Sequence, residues 1–146
     1  MFKNLTYLDA SCESNISDDC VAHLINLTTL IIVSNEKITD NSLKYLINLT
    51  YLNINGNSKI TDKSFEKLNN LTHLHAYKNN ITNECIKKLT KLIYLDVGSN
   101  ENITDDGIVG LHNLTELNAS YNNKITQNGI KCLNNLVCAR LCKTKL

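Results

Sequence analysis

Two histidines, His73 and His75, stand two residues apart in the segment Thr72-His-Leu-His-Ala76. Alternate residues of a strand share a face, so this spacing would set both imidazoles side by side. Tyr94 and Asp96 carry the same phase 21 residues on, and Tyr51 stands 22 residues before His73. If these segments are neighbouring strands, Tyr51, His73, His75, Tyr77, Tyr94 and Asp96 gather on one surface. A His-x-His pair with a carboxylate has the ligand types of a divalent-metal site. Ordinary surface residues coincide in this way easily, and we read no metal there. Imidazoles that titrate near neutral pH make a pH-sensitive contact patch instead.

The other reactive side chains point away from catalysis. No glycine-rich phosphate loop is present. Cys138 and Cys142, four residues apart on one strand, would be ~13 Å apart by strand rise, too far for a bridge. With Cys132 they cluster near the C-terminal end, where oxidation between molecules is a more natural fate than zinc binding. No cysteine falls beside His73 or His75, which argues against a Cys–His nucleophile pair. The carboxylates Asp18-Asp19 and Asp105-Asp106 open short helical segments, where they face the helix dipole. Lys87, Lys88 and Lys91 read as a solvated basic face. We therefore expect no enzyme and no cofactor.

The elements that must position these residues come from a repeat. Leu-Thr-x-Leu recurs at Leu5, Leu27, Leu49, Leu71 and Leu114, with variants at Leu92 and Leu136, every 22 residues but for one interval of 21. The first half of each unit reads Leu-x-x-Leu-x-apolar-x-x-Asn: Leu30, Ile32, Asn35; Leu52, Ile54, Asn57; Leu74, Ala76, Asn79; Leu95, Val97, Asn100; Leu117, Ala119, Asn122. The inner apolar pair has the period of a strand with one buried face. The second half opens with Ile-Thr-Asp, at Ile38, Ile60 and Ile103, and continues with apolar residues at spacing three, such as Leu43 and Leu46. Threonine at an N-cap with aspartate in the first turn predicts a short helix. Each unit is then strand, turn, helix, turn. The asparagine is expected to be buried and to serve backbone groups of its own turn and of the next repeat. Cys20 and Cys85 share a slot with Ser42, Ser64, Gly107 and Gly129, which predicts small packing residues where helix meets core.

This pattern resembles the leucine-rich repeat family over essentially the whole chain. The half Ile103-Thr104-Asp105-Asp106-Gly107-Ile108 is similar to the cysteine-containing subtype found beside F-boxes, although Asn holds the slot after each strand. The repeat length is similar to that of bacterial internalin-like repeats. The resemblance implies an α/β fold: a right-handed solenoid with a parallel concave sheet and short convex helices. Residues 1–146 would form one domain of about six repeats and a partial C-terminal one. It also implies a non-catalytic protein–protein interaction module. Its partner would contact Tyr51, His73, His75, Tyr77, Tyr94 and Asp96 on the concave face. A substrate-recognition part of an F-box-type ligase adaptor and a self-assembling structural unit remain alternatives. A plain solvated strand face would also carry tyrosines, since they favour strands.

Composition narrows the classes. The 15 Lys and Arg against 14 Asp and Glu give a net charge of +1, without the basic excess of a nucleic-acid binder. No apolar run is long enough to span a bilayer, and the first residues lack a secretory core. We therefore expect no nucleic acid, no membrane, and a cytosolic setting with reduced thiols, which for a virus or intracellular pathogen would be the host cell. Glu13 and Thr144 take the asparagine slot in the outermost units and Phe2 takes a helix-leucine slot, so no polar cap is evident. A fragment of a longer array, association through open ends, and a protein with uncapped ends all fit.

Overall fold

The computed structural model describes residue 2, residues 4–12 and residues 14–143. Glu13 and Thr144 lie outside these. Seven strands, β1 (Tyr7–Asp9), β2 (Thr29–Ile31), β3 (Tyr51–Asn53), β4 (His73–His75), β5 (Tyr94–Asp96), β6 (Glu116–Asn118) and β7 (Cys138–Arg140), form one parallel sheet in sequence order. Successive units align without slip, so that Leu30, Leu52, Leu74, Leu95 and Leu117 pair in one row. The outer residues of each strand face the concave side. On the convex side lie five single-turn helices, α1 (Asp18–Val21), α2 (Asp40–Leu43), α3 (Asn83–Ile86), α4 (Asp105–Ile108) and α5 (Gln127–Lys131), and a 3-10 turn at Asp62–Phe65. The solenoid therefore has the α/β architecture that the repeat implied.

The core follows from the repeat phrase. Leu52 and Ile54 come from one strand and the turn after it, and Ile60, Phe65 and Leu68 from the convex return. All are buried, and their equivalents in the other units join them in one continuous cluster. A single unit of three strand residues and one helical turn cannot cover these side chains. Its neighbours do so, which makes the stack the unit of stability.

Four rows of side-chain hydrogen bonds stitch unit to unit, and they explain the recurring residue types. The buried asparagines form the first. Asn57 donates its amide to the carbonyls of Asn35 (2.6 Å) and Ile38 (3.3 Å) and accepts from the Lys59 N–H. Asn122 does the same with Asn100, Ile103 and Lys124. The partner is thus the preceding repeat, not the next as expected, because the amide nitrogen points back along the stack while its oxygen holds its own turn. The second row explains Leu-Thr-x-Leu: the hydroxyls of Thr28, Thr50 and Thr72 donate to the carbonyls of Thr6, Thr28 and Thr50. A third row lies at the convex edge, where Asn48, Asn70, Asn113 and Asn135 each donate to a carbonyl of the preceding unit. The Asn-Leu-Thr phrase is therefore two rows of inter-repeat bonds.

The fourth row corrects the role given to Ile-Thr-Asp. Asp40 accepts from the N–H (2.8 Å) and hydroxyl (2.6 Å) of Thr61 and from the hydroxyl of Ser64. Asp18, Asp62 and Asp105 hold Thr39, Thr82 and Thr126 in the same way. These carboxylates clasp the next repeat, a stronger job than facing the dipole of a one-turn helix. The threonines do cap as expected: Thr39, Thr61, Thr82 and Thr126 accept from the backbone two residues on. Thr104 does not. In the unit before it Asn83 replaces aspartate and donates to the Thr104 hydroxyl, occupying the oxygen that would cap. The small slot is explained too. A Cβ at Gly107 or Gly129 would run into Asn83 or Asp105. Cys85 is buried there as expected, but Cys20 is exposed, because among the described residues no earlier helix covers α1.

Each unit turns through one residue with positive φ, directly before the asparagine slot: Cys12, Ser34, Gly56, Lys78, Ser99, Tyr121 and Lys143, at 50° to 66°. Only one of the seven is glycine.

Candidate partner-binding face

The concave centre is made by β3, β4 and β5. Their middle leucines point into the core, so the residues on either side must point out. Register places Tyr51 beside His73 and His73 beside Tyr94, and one step along, Asn53 beside His75 and His75 beside Asp96. The rings then close up. Tyr51 and His73 lie at 6.0 Å between centroids and 25° between planes, and His73 and Tyr94 at 6.2 Å and 13°. His75 fills the space below, 5.2 Å from the Tyr51 ring and 4.5 Å from the Tyr94 ring. Its Nε2 is 3.0 Å from the Tyr51 hydroxyl. The sequence-predicted residues Tyr51, His73, His75 and Tyr94 therefore form one cluster of four rings.

Asp96 and Tyr77 hold different positions. Asp96 is only 7% exposed. It lies beside His75 under the ring layer, and its Oδ1 accepts from the Gly98 N–H at 2.9 Å. It supports the face from within instead of standing on its surface. Tyr77 is exposed and its ring lies over Gly98, where a Cβ would be 2.8 Å from Tyr77 Cδ2 and 3.0 Å from the Ser120 carbonyl. A shallow groove of about 500 Å³ runs beside it, lined by Val33, Asn55, Gly56 and Lys78 among others.

Burial sets the charge states. The half-buried imidazole of His75 is held below the ordinary histidine range, first by desolvation and then by His73, with Asp96 opposing. Burial pushes the Tyr51 and Tyr94 hydroxyls up, and for Tyr94 the Asp96 carboxylate adds to this. Burial therefore favours the uncharged forms of Tyr51, His75 and Tyr94, with the Asp96 carboxylate beside them. His73 Nδ1 lies 3.0 Å from Thr72 Oγ1, and the same hydroxyl is 3.1 Å from the Thr50 carbonyl. The threonine row therefore holds the His73 ring in place.

Three contributors escaped sequence reasoning. Thr72 orients His73, and its signal was the threonine row itself. Gly98 makes room for Tyr77, and it stood in the column next to Tyr77. Asn55 accepts the Tyr77 N–H at 2.8 Å, which no spacing indicates. Among the described residues no three His, Cys, Asp or Glu side chains are gathered to hold a metal. The lysines noted above lie on the helix side, where Lys87 is 3.5 Å from Glu84 and Lys91 donates to Asn70. No described helix is long and apolar enough to cross a membrane.

The family model described as leucine rich repeat matches residues 23–47, 45–68, 88–111 and 110–133, together more than half of the chain. The chain belongs to the leucine-rich repeat family. No curated protein sequence matches it. Among solved structures it is similar to the functional domain of InlJ from Listeria monocytogenes, which includes a cysteine ladder. The TM-score is 0.72 at 28% identity, over 97% of this chain and 31% of that one. It is also similar to an internalin, InlF, from the same species: TM-score 0.67, 29% identity, 98% of this chain and 50% of that one. The leucine-rich-repeat ectodomain of the plant receptor kinase GASSHO1/SCHENGEN3 from Arabidopsis thaliana shares the fold, with TM-score 0.70 at 20% identity over 99% of this chain and 19% of that one. The chain spans half or less of each. Leucine-rich repeats of this kind generally serve protein–protein interaction. The ladder of the present chain is asparagine at 35, 57, 79, 100 and 122.

Proposed function

We propose that residues 1–146 act as one non-catalytic domain that docks a protein partner on the concave face. Tyr51, His73, His75, Tyr77 and Tyr94 make the contacts, and Asp96 supports them from below. The observation that carries this reading is the cluster of four rings. With aromatic residues only 5% of the sequence, two of the six tyrosines and two of the four histidines pack together on one outward sheet surface. Tyrosine and histidine offer large contact area at low rotamer cost, as interface anchors do. Burial that favours uncharged Tyr51, His75 and Tyr94 suits a partner surface that is polar and aromatic. All six cysteines are unpaired, which supports a reducing, cytosolic setting.

The test is a paired capture from eukaryotic lysate under reducing conditions. One bait is the wild-type chain. The other carries Tyr51→Ala, His73→Ala, His75→Ala and Tyr94→Ala and is confirmed folded by circular dichroism. We expect at least one protein held by the wild type alone. The phrase Ile103-Thr104-Asp105-Asp106-Gly107-Ile108 supports a narrower version, substrate recognition for a ubiquitin-ligase adaptor, and ligase scaffold subunits in the captured set would select it. Equal capture by both baits, or capture only of further copies of the chain, overturns the concave-face reading in favour of a self-assembling unit.

A further inference from the structure

The Tyr51–His75 pair carries information beyond a contact surface. Each partner has a single polar proton to place when the imidazole is neutral. The two heavy atoms are 3.0 Å apart. A phenol is the better proton donor and an imidazole nitrogen the better acceptor, so the neutral pair forms as O–H to Nε2. The remaining imidazole proton is then on Nδ1, and the phenol oxygen, which the Asn53 side chain also reaches, keeps a lone pair for the concave space. Protonation of His75 reverses this. The imidazolium has a proton on both nitrogens and accepts nothing, so Nε2–H donates to the phenol oxygen. The hydroxyl proton of Tyr51 is released to point outward.

We propose that Tyr51 and His75 form a proton-driven polarity switch at the centre of the concave face, making Tyr51 an outward acceptor when His75 is neutral and an outward donor when it is charged. The groups that face the imidazole are Tyr51 and Asn53 from β3, His73 and Tyr77 on its own strand, and Tyr94 and Asp96 from β5. Burial opposes the charged imidazole most, Asp96 favours it, and His73 opposes it. Because the pair keeps one hydrogen bond in both states, the switch changes which chemistry the face offers without dismantling the cluster. Resting on the docking role proposed above, it defines the partner: at neutral pH the group seated on Tyr51 is a hydrogen-bond donor. Acidification sets donor against donor there and weakens the complex.

The switch is read without any partner. Nitrogen-15 imidazole and carbon-13 tyrosine NMR spectra of the full chain are followed from about pH 8 to about pH 5, across the histidine range. The expected result is the Nδ1–H tautomer of His75 at neutral pH, a titration midpoint below the ordinary 6.5, and a Tyr51 Cζ shift that follows the same midpoint. Tyr51→Phe should convert His75 to the Nε2–H tautomer, which free neutral imidazole side chains prefer, and leave His73 unchanged. His75→Gln should flatten the Tyr51 shift. An Nε2–H tautomer in the wild type, a Tyr51 shift that stays flat while His75 titrates, or a Tyr51 shift that still titrates with Gln at position 75 overturns the proposal. If the switch is present but the capture experiment fails, the docking role alone falls.

Discussion

Asn57 serves three backbone groups and is fully buried. Removing its amide strands two carbonyls in buried bonds and takes the partner of the part-buried Lys59 N–H, so Asn57→Ala should cost about 1–3 kcal/mol in urea unfolding. The exposed Asn48, which makes one bond to the Ile25 carbonyl, should lose no more than about 0.5 kcal/mol on the same change. Equal losses would mean that burial does not set the value of a ladder bond. The buried row was legible because asparagine recurs in one phase directly after the strand. Its direction was not, since the phrase of one unit does not reveal which neighbour the amide reaches. The positive-φ turn residues were hidden for another reason. Ser34, Lys78, Ser99 and Tyr121 are ordinary side chains forced into the left-handed region by the ladders on either side. That conformation costs an L-residue about 1–2 kcal/mol. Lys78→Gly should therefore raise the unfolding midpoint modestly. Gly56→Ala should lower it, because the new Cβ inherits φ of 66° and stands 3.0 Å from Ser34 Oγ. Differential scanning calorimetry of the two variants decides; shifts of the same sign would sink the argument.

At the scale of the element, a one-turn helix has little to hold it apart from its clasp. Asp40 gives α2 its hold on the 3-10 turn of the next unit through Thr61 and Ser64. The stack already contains the experiment of weakening such a clasp, at Asn83, where Thr104 loses its cap. Restoring the carboxylate with Asn83→Asp should return that cap and gain about 0.5–1 kcal/mol; a loss in chemical denaturation would show the amide to be the better partner. The clasp also has a pH signature. Burial raises the cost of charge on Asp18, but hydrogen bonds from Ser42 and Thr39 outweigh it and hold the carboxyl below 3.8. A depressed carboxylate contributes stability that is complete above its unfolded value and vanishes as pH falls through the folded one. That contribution should therefore fade below about pH 3.8, and Asp18→Asn should flatten the acid limb of the stability curve. Strands and helix starts were legible here from apolar period and capping type. The rings of the concave face were legible once the units were aligned into columns. Gly98 under Tyr77 was not, since the need for a missing Cβ shows only when the ring is in place.

The whole molecule is a line of contacts between neighbours, so damage in the middle interrupts everything. Leu74, fully buried in β4, should lose about 2–5 kcal/mol on truncation to alanine. Hydrogen exchange should be slowest across β3 to β5 and should quicken toward β1 and β7; uniform protection would argue against a one-dimensional stack. His75 adds a dependence on acid to the molecule as a whole. Its imidazole resists protonation in the fold relative to the ordinary 6.5. The unfolded chain then binds the proton first, and stability falls as pH drops below about 6.5 until the folded group is also charged. His75→Gln should remove that step. The side-chain bonds between repeats share one more property. In the asparagine, threonine and aspartate rows the donor belongs to the later unit and the acceptor to the earlier one, Asn83 Nδ2 being the exception. A ribosome lengthens this chain from its N-terminal side at about 5–20 residues per second. Each new turn thus emerges to find its docking points already in place, and every addition presents the points for the next. Synthesis and folding run in the same direction, like a zip closed from the end that is made first.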